Sequence, residues 1–149
     1  MKHLAVLVPL ALASLPALGA DPALTKADCD AVLTAEVKRL EDGFARTRSA
    51  WEQSVEQRFQ EHKELTEAQL QTARDTFNKA VVELSGAHLK TVALPGMYRM
   101  MLAIPHYDLA VCSDPGHMRQ LGDQAITGFL MQLSALLPLV ETSIKAAKN

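Results

Sequence analysis

Six side chains able to bind a metal or move a proton fall within one short stretch: His106, Tyr107, Asp108, Cys112, Asp114 and His117. Imidazoles and carboxylates at that density are the raw material of a zinc site or a general acid–base pair. Their spacing argues for a quieter role. No His-x3-His pair lies along a helix, no CxxC is present, and no two carboxylates sit at a spacing that forces them together. Aspartates in a stretch punctuated by Pro105, Pro115 and Gly116 ordinarily close turns and cap helices. A metal held here would need His106 and His117 to converge, which makes those two the candidate metal ligands.

Sulfur offers a second chemistry. Met97, Met100 and Met101 flank Tyr98, with Met118 further along the chain. Thioether sulfur is a soft donor suited to copper(I). The same flexible side chains fill irregular gaps in cores and make adaptable apolar surfaces for protein partners. Met97, Tyr98, Met100 and Met101 are therefore the expected interaction surface, with metal binding as the alternative.

No other constellation points to chemistry. His62 and His88 fall on or near apolar helix stripes, where a lone histidine serves structure, and Trp51 reads as a core anchor. Glu52, Glu56, Arg58, Glu61 and Glu64 read as the solvated faces of a long helix. The chain has no Ser/His/Asp order, phosphate-cradling glycine loop or Cys/His nucleophile pattern. Neither an enzyme nor a bound cofactor is expected.

The elements that must position these residues are helical. Leu33, Val37, Leu40, Phe44, Thr47, Trp51, Val55 and Phe59 recur every three or four residues, the mark of a helix with one buried face. Thr25 and Asp28 supply a capping box at its start, and Gly43 is its weakest interior position. Thr66 and Gln69 begin a second helix, with Leu65 placed to pack on Leu70. Its stripe runs Leu70, Ala73, Phe77, Val81, Leu84, His88 and Val92 until Pro95-Gly96 ends it. A short helix over residues 97–104 follows. Asp114 and Pro115 then open a last helix carrying Met118, Leu121, Ala125, Phe129, Leu133, Leu136, Val140 and Ile144. Pro138 should kink that helix rather than end it, and the apolar run from Phe129 to Val140 is expected to be core.

Residues 1–20 read as a cleavable export leader: Lys2, an apolar run from Leu4 to Leu18, and small residues up to Ala20. The run is too short for a stable membrane span. Residues 21–149 then make a single domain. Its 14 basic side chains against 17 acidic ones give a formal charge of −3, with no concentrated basic surface to bind nucleic acid. Export places the chain in an oxidising compartment, the periplasm first and the exterior second, where Cys29 and Cys112 should pair. Such a bond would close an 83-residue loop, stabilising the fold by about 4.5 kcal/mol on the chain-entropy account.

Helix arithmetic supports that pairing. At about 1.5 Å per residue the first helix climbs roughly 50 Å and the second returns roughly 39 Å, so residues 94–112 need span only about 10 Å to bring Cys112 level with Cys29. The expected fold is all-α: a long antiparallel helical hairpin plus a long C-terminal helix, a three- to four-helix, coiled-coil-like bundle stapled at its open end.

Leu65-Thr66-Glu67-Ala68-Gln69 resembles the LTxxQ pattern of small periplasmic helical chaperones and stress-sensing adaptors. Those proteins typically carry the pattern twice, and Leu33-Thr34-Ala35-Glu36-Val37 lacks the glutamine. The resemblance implies a helical hairpin that acts on other proteins. The two long amphipathic helices, the methionine-rich end and the absence of a catalytic pattern lead to the expected function, protein–protein interaction of a chaperone, adaptor or inhibitor type, and the resemblance points the same way. The partner is another protein, with self-association through the same long faces left open.

Overall fold

The computed structural model describes residues 23–88 and 93–148. The expected leader lies outside the described residues, as does the end of the expected second-helix stripe at Val92. Five α-helices are described: α1 (Lys26–Glu61), α2 (Glu67–His88), α3 (Ala93–Ala103), α4 (Pro115–Leu136) and α5 (Pro138–Lys148), with a 3₁₀ turn at Leu109–Cys112 before α4. The architecture is an all-α bundle closed by a Cys29–Cys112 disulfide.

The helix starts follow from their capping residues. The amide of Asp28 donates to Thr25 Oγ1 and the amide of Thr25 donates to the Asp28 carboxylate, both at 3.2 Å. Thr66 and Gln69 repeat this reciprocal arrangement at 3.3 and 3.0 Å. Asp114 accepts from the His117 amide at 2.9 Å, with Pro115 at the first helical position. Each box satisfies amides that the first turn of a helix leaves without partners.

Two expectations need correction; the single long first helix is not one of them, since α1 runs unbroken for 36 residues through Gly43. The missing side chain of Gly43 is a seat for α4, since a Cβ there would lie 2.5 Å from Ile126 Cδ1. Pro95 and Gly96 do not end α2; they occupy the first turn of α3, where a proline has no intrahelical hydrogen bond to lose. The run from Phe129 to Val140 is only partly core. Phe129, Leu133 and Val140 are buried, whereas Leu130 and Met131 are 48% and 68% exposed, and Leu121 also lies at the surface. Although Gln132, Ser134 and Pro138 interrupt the run, its apolar residues still fall on every side of the helix, and only one face of it meets a neighbour.

Pro138 interrupts the hydrogen-bond ladder between α4 and α5 as its chemistry requires. It cannot donate to Ser134, and the Leu137 amide bonds that carbonyl instead at 3.2 Å. Leu137 keeps helical dihedrals of −56° and −37°, so α5 continues onward from α4.

The bundle has three columns. Successive contacts of Cys29 with Cys112, Arg39 with Asp123, Phe44 with Phe129 and Glu64 with Lys148 show α4 and α5 running alongside α1 in the same direction. α3 runs against α1, with Tyr107 level with Asp30 and Arg99 level with Glu41. α2 packs principally on α5 and meets α1 through long side chains, among them the Phe59–Phe77 ring pair and the Arg74–Glu56 ion pair. Two apolar clusters result. One lies at the stapled end around Leu33, Leu40, Tyr98 and Phe129, the other at the closed end around Phe59, Phe77, Val140 and Ile144. Trp51 packs against both.

Candidate functional site

The stapled end is built around the disulfide, whose cysteines are both buried with their Cα atoms 5.5 Å apart. The polar loop beside it is occupied by structural work. Tyr107 Oη donates to Asp30 Oδ1 at 2.5 Å, and Lys26 pairs with the same carboxylate at 2.6 Å while lying 5.0 Å from the Tyr107 ring centre. Lys26 and Tyr107 hold the Asp30 carboxyl below its usual range, and desolvation together with the Asp30 bond pushes the Tyr107 phenol up to about 12. Asp108 caps the 3₁₀ turn through the Ala110 amide, as Asp114 caps α4. His106 and His117 are both exposed. Among the described residues no group of three or more His, Cys, Asp or Glu side chains is arranged to hold a metal ion.

The four residues expected to form a surface on α3 divide. Tyr98 points inward at 2% exposure, and burial beside the Glu36 carboxylate raises its phenol pKa. Met101 is partly buried against the core. Met97 and Met100 are 44% and 67% exposed, and Ile104 extends the same outer face. Helical geometry explains the split: Pro95, Tyr98 and Leu102 fall on the inner side of α3, while residues 97, 100 and 104 recur on the other.

The opposite flank of α3 borders an open groove of about 490 Å³. Phe44 and Phe129, packed edge to face at 5.3 Å, together with Pro95 and Ala45 supply its apolar lining. Arg48, Ser49 and Glu52 of α1 edge it opposite Arg99, which pairs with Glu41. A second groove of about 470 Å³ continues along α1, lined by Val55, Phe59, Phe77 and Val81 and sharing Glu52 with the first. Sequence periodicity marks Phe44 and Phe129 as core but not the gap between α1 and α3. That gap depends on how far α3 stands from α1, which no local pattern encodes.

On the other side of α1 the helices are locked together. Glu36, only 7% exposed, holds Arg39 at 2.7 and 2.8 Å, and Arg39 reaches Asp123 Oδ1 at 2.6 Å and the Arg119 carbonyl at 3.1 Å. The Glu36 bond, more than any other contact, raises the guanidinium pKa and keeps it charged. Gly122 permits this approach: a Cβ there would stand 2.5 Å from Glu36 Oε1 and meet the guanidinium of Arg39.

The α4–α5 segment, Pro115–Lys148, is long and apolar enough by length and composition alone to cross a membrane. Here its Met118, Phe129, Leu133, Val140 and Ile144 side chains are buried in the bundle. Comparison with known families, curated proteins and solved structures finds no match for this chain.

Proposed function

We propose that this protein works outside the cytoplasm by binding another protein, as a chaperone, adaptor or inhibitor, with no chemistry of its own. One observation carries the reading: Met97, Met100 and Ile104 are 44%, 67% and 45% exposed on the outer face of α3, the helix that walls the open groove beside α1. Apolar side chains exposed on a helix that the core holds in place give contact to an incoming segment at small ordering cost. The polar residues Arg48, Ser49 and Glu52 along one edge would orient that segment. A disulfide buried in the core accords with an exported protein, the periplasm being the first compartment to consider.

Photo-crosslinking tests the reading directly. A photoreactive residue at Ser49 or Met100 should trap the same protein in producing cells, and one at Gln57, exposed and away from both grooves, should trap none. Trapping that is equal at all three positions, or absent at all three, would rule it out.

A further inference from the structure

We infer that Met97, Met100 and Met101 form a surface site for a soft monovalent cation, copper(I) or its analogue silver(I). The inference is independent of the protein-binding reading. Both cysteines are consumed in the buried disulfide and no free cysteine remains, so thioethers are the only soft sulfur donors left. Three of the six methionines lie within a single turn of α3. At i, i+3 and i+4 their Cβ atoms are neighbours about 5–6 Å apart, and the side chains of residues 100 and 101 lean toward the helix N-terminus, over Met97. Unbranched thioethers reach across such a spacing, and thioether donors select copper(I) over the harder divalent ions.

Burial separates Met97 and Met100 from a methionine that serves packing, while Met101 sits half-buried at the edge of the core beside them. Met118 is 4% exposed and fills the stapled-end core, whereas Met97 and Met100 are 44% and 67% exposed, so gap-filling does not account for them. The platform beneath is rigid, because Tyr98 and Pro95 anchor α3 in the core. Its charge is also suitable. Arg99, the one cationic side chain on α3, is paired with Glu41 of α1, so its charge is neutralised locally.

Titration of the disulfide-intact protein with silver(I), and with copper(I) kept reduced by ascorbate rather than by a thiol, tests the site. The expected result is one ion per chain, with the methyl resonances of Met97, Met100 and Met101 moving and those of Met118 and Met131 unchanged. Binding should weaken by at least about tenfold in M97L/M100L/M101L. Leucine matches methionine in helix propensity and apolar bulk, so that variant keeps the fold and leaves an apolar surface for a protein partner. Loss of metal binding and loss of partner binding are thereby separable. If the triple variant loses helicity, M100L alone carries the test in the same direction. Equal affinity in the native and variant proteins overturns the inference. So does a matching loss in M131L, or the lack of any silver(I) or copper(I) binding tighter than about 1 μM.

Discussion

The two ends of the bundle are held together by different physics. At the stapled end a covalent bond joins α1 to the turn before α4, and Glu36 and Arg39 lock α1 to α4 across Gly122; the gap between α1 and α3 opens roughly 20 Å further along α1, from Glu41 to Glu52. The closed end has no covalent link. Phe59, Phe77, Val140 and Ile144 make its core, and the charged group of His62, Glu64, Glu141 and Lys148 ties α5 to the α1–α2 turn. The difference teaches that one end of the bundle is fixed by a covalent bond and the other by packing and charge, with the open groove lying along the middle of α1 between them.

Breaking the staple tests this contrast most severely. Replacing Cys29 and Cys112 by serine should remove on the order of 4.5 kcal/mol, chiefly by freeing the unfolded chain. In hydrogen exchange, protection around Leu33 and Tyr98 should fall further than protection around Phe59 and Val140. A uniform loss, or an unchanged urea midpoint, would dissolve the distinction between the ends.

Next in size is Gly122→Ala. The added methyl must displace Glu36 or Arg39, costing about 1–3 kcal/mol as overpacking of a close contact. Gly96→Ala is its control: nothing lies within 4 Å of the new methyl, so that change should be neutral or stabilise by up to about 1 kcal/mol. Equal effects at the two glycines would show that backbone propensity, not the α1–α4 approach, sets the requirement.

At the waist, Trp51 packs on Phe77 with ring centres 5.9 Å apart, and its Nε1 is buried without a hydrogen-bond partner. Phenylalanine keeps part of the ring contact and removes a donor whose burial costs about 1–3 kcal/mol. Trp51→Phe should therefore change stability by less than about 1 kcal/mol, the lost area and the relieved donor offsetting one another. A much larger loss in thermal melting would mean that the indole has a partner in solution.

The smallest effect concerns pH at the closed end. His62 Nδ1 lies 2.9 Å from Glu64 and Nε2 lies 3.6 Å from Glu141, and the Glu64 contact leads in raising its pKa. A raised pKa means that the stabilisation is complete below the unfolded-state value and is lost as pH climbs through the folded-state value. Relative to His62→Gln, the native protein should lose about 0–1 kcal/mol of advantage between about pH 5 and about pH 8. Glu64 has the opposite slope. Lys148, then His62, lower its pKa from 4.5 to about 2, so its contribution is present above the unfolded value and lost as pH falls toward 2. Parallel pH profiles of the native protein and the His62 variant would show that this group does not tie α5 down.

Much of the fold was legible locally. The capping residues Thr25, Thr66 and Asp114 announce their helices because a cap is a contact between residues three apart. At Gly43 local reasoning reaches only half the account: propensity counts the cost of glycine in an isolated helix and not the space it offers Ile126. Tyr98 stood out with its methionine neighbours in composition, yet its position on α3 turns it into the core. The groove and the Gly122 crossing left no sequence signal, since each depends on the distance between helices far apart in the chain.

By itself, then, the sequence determined the helices, their caps and the pairing of Cys29 with Cys112, because periodicity, capping and chain length act locally or through simple arithmetic. Only the tertiary structure decided which apolar residues stay exposed. Met100 and Met131 carry the same side chain as Met118, and what separates them is whether another helix lies across that face.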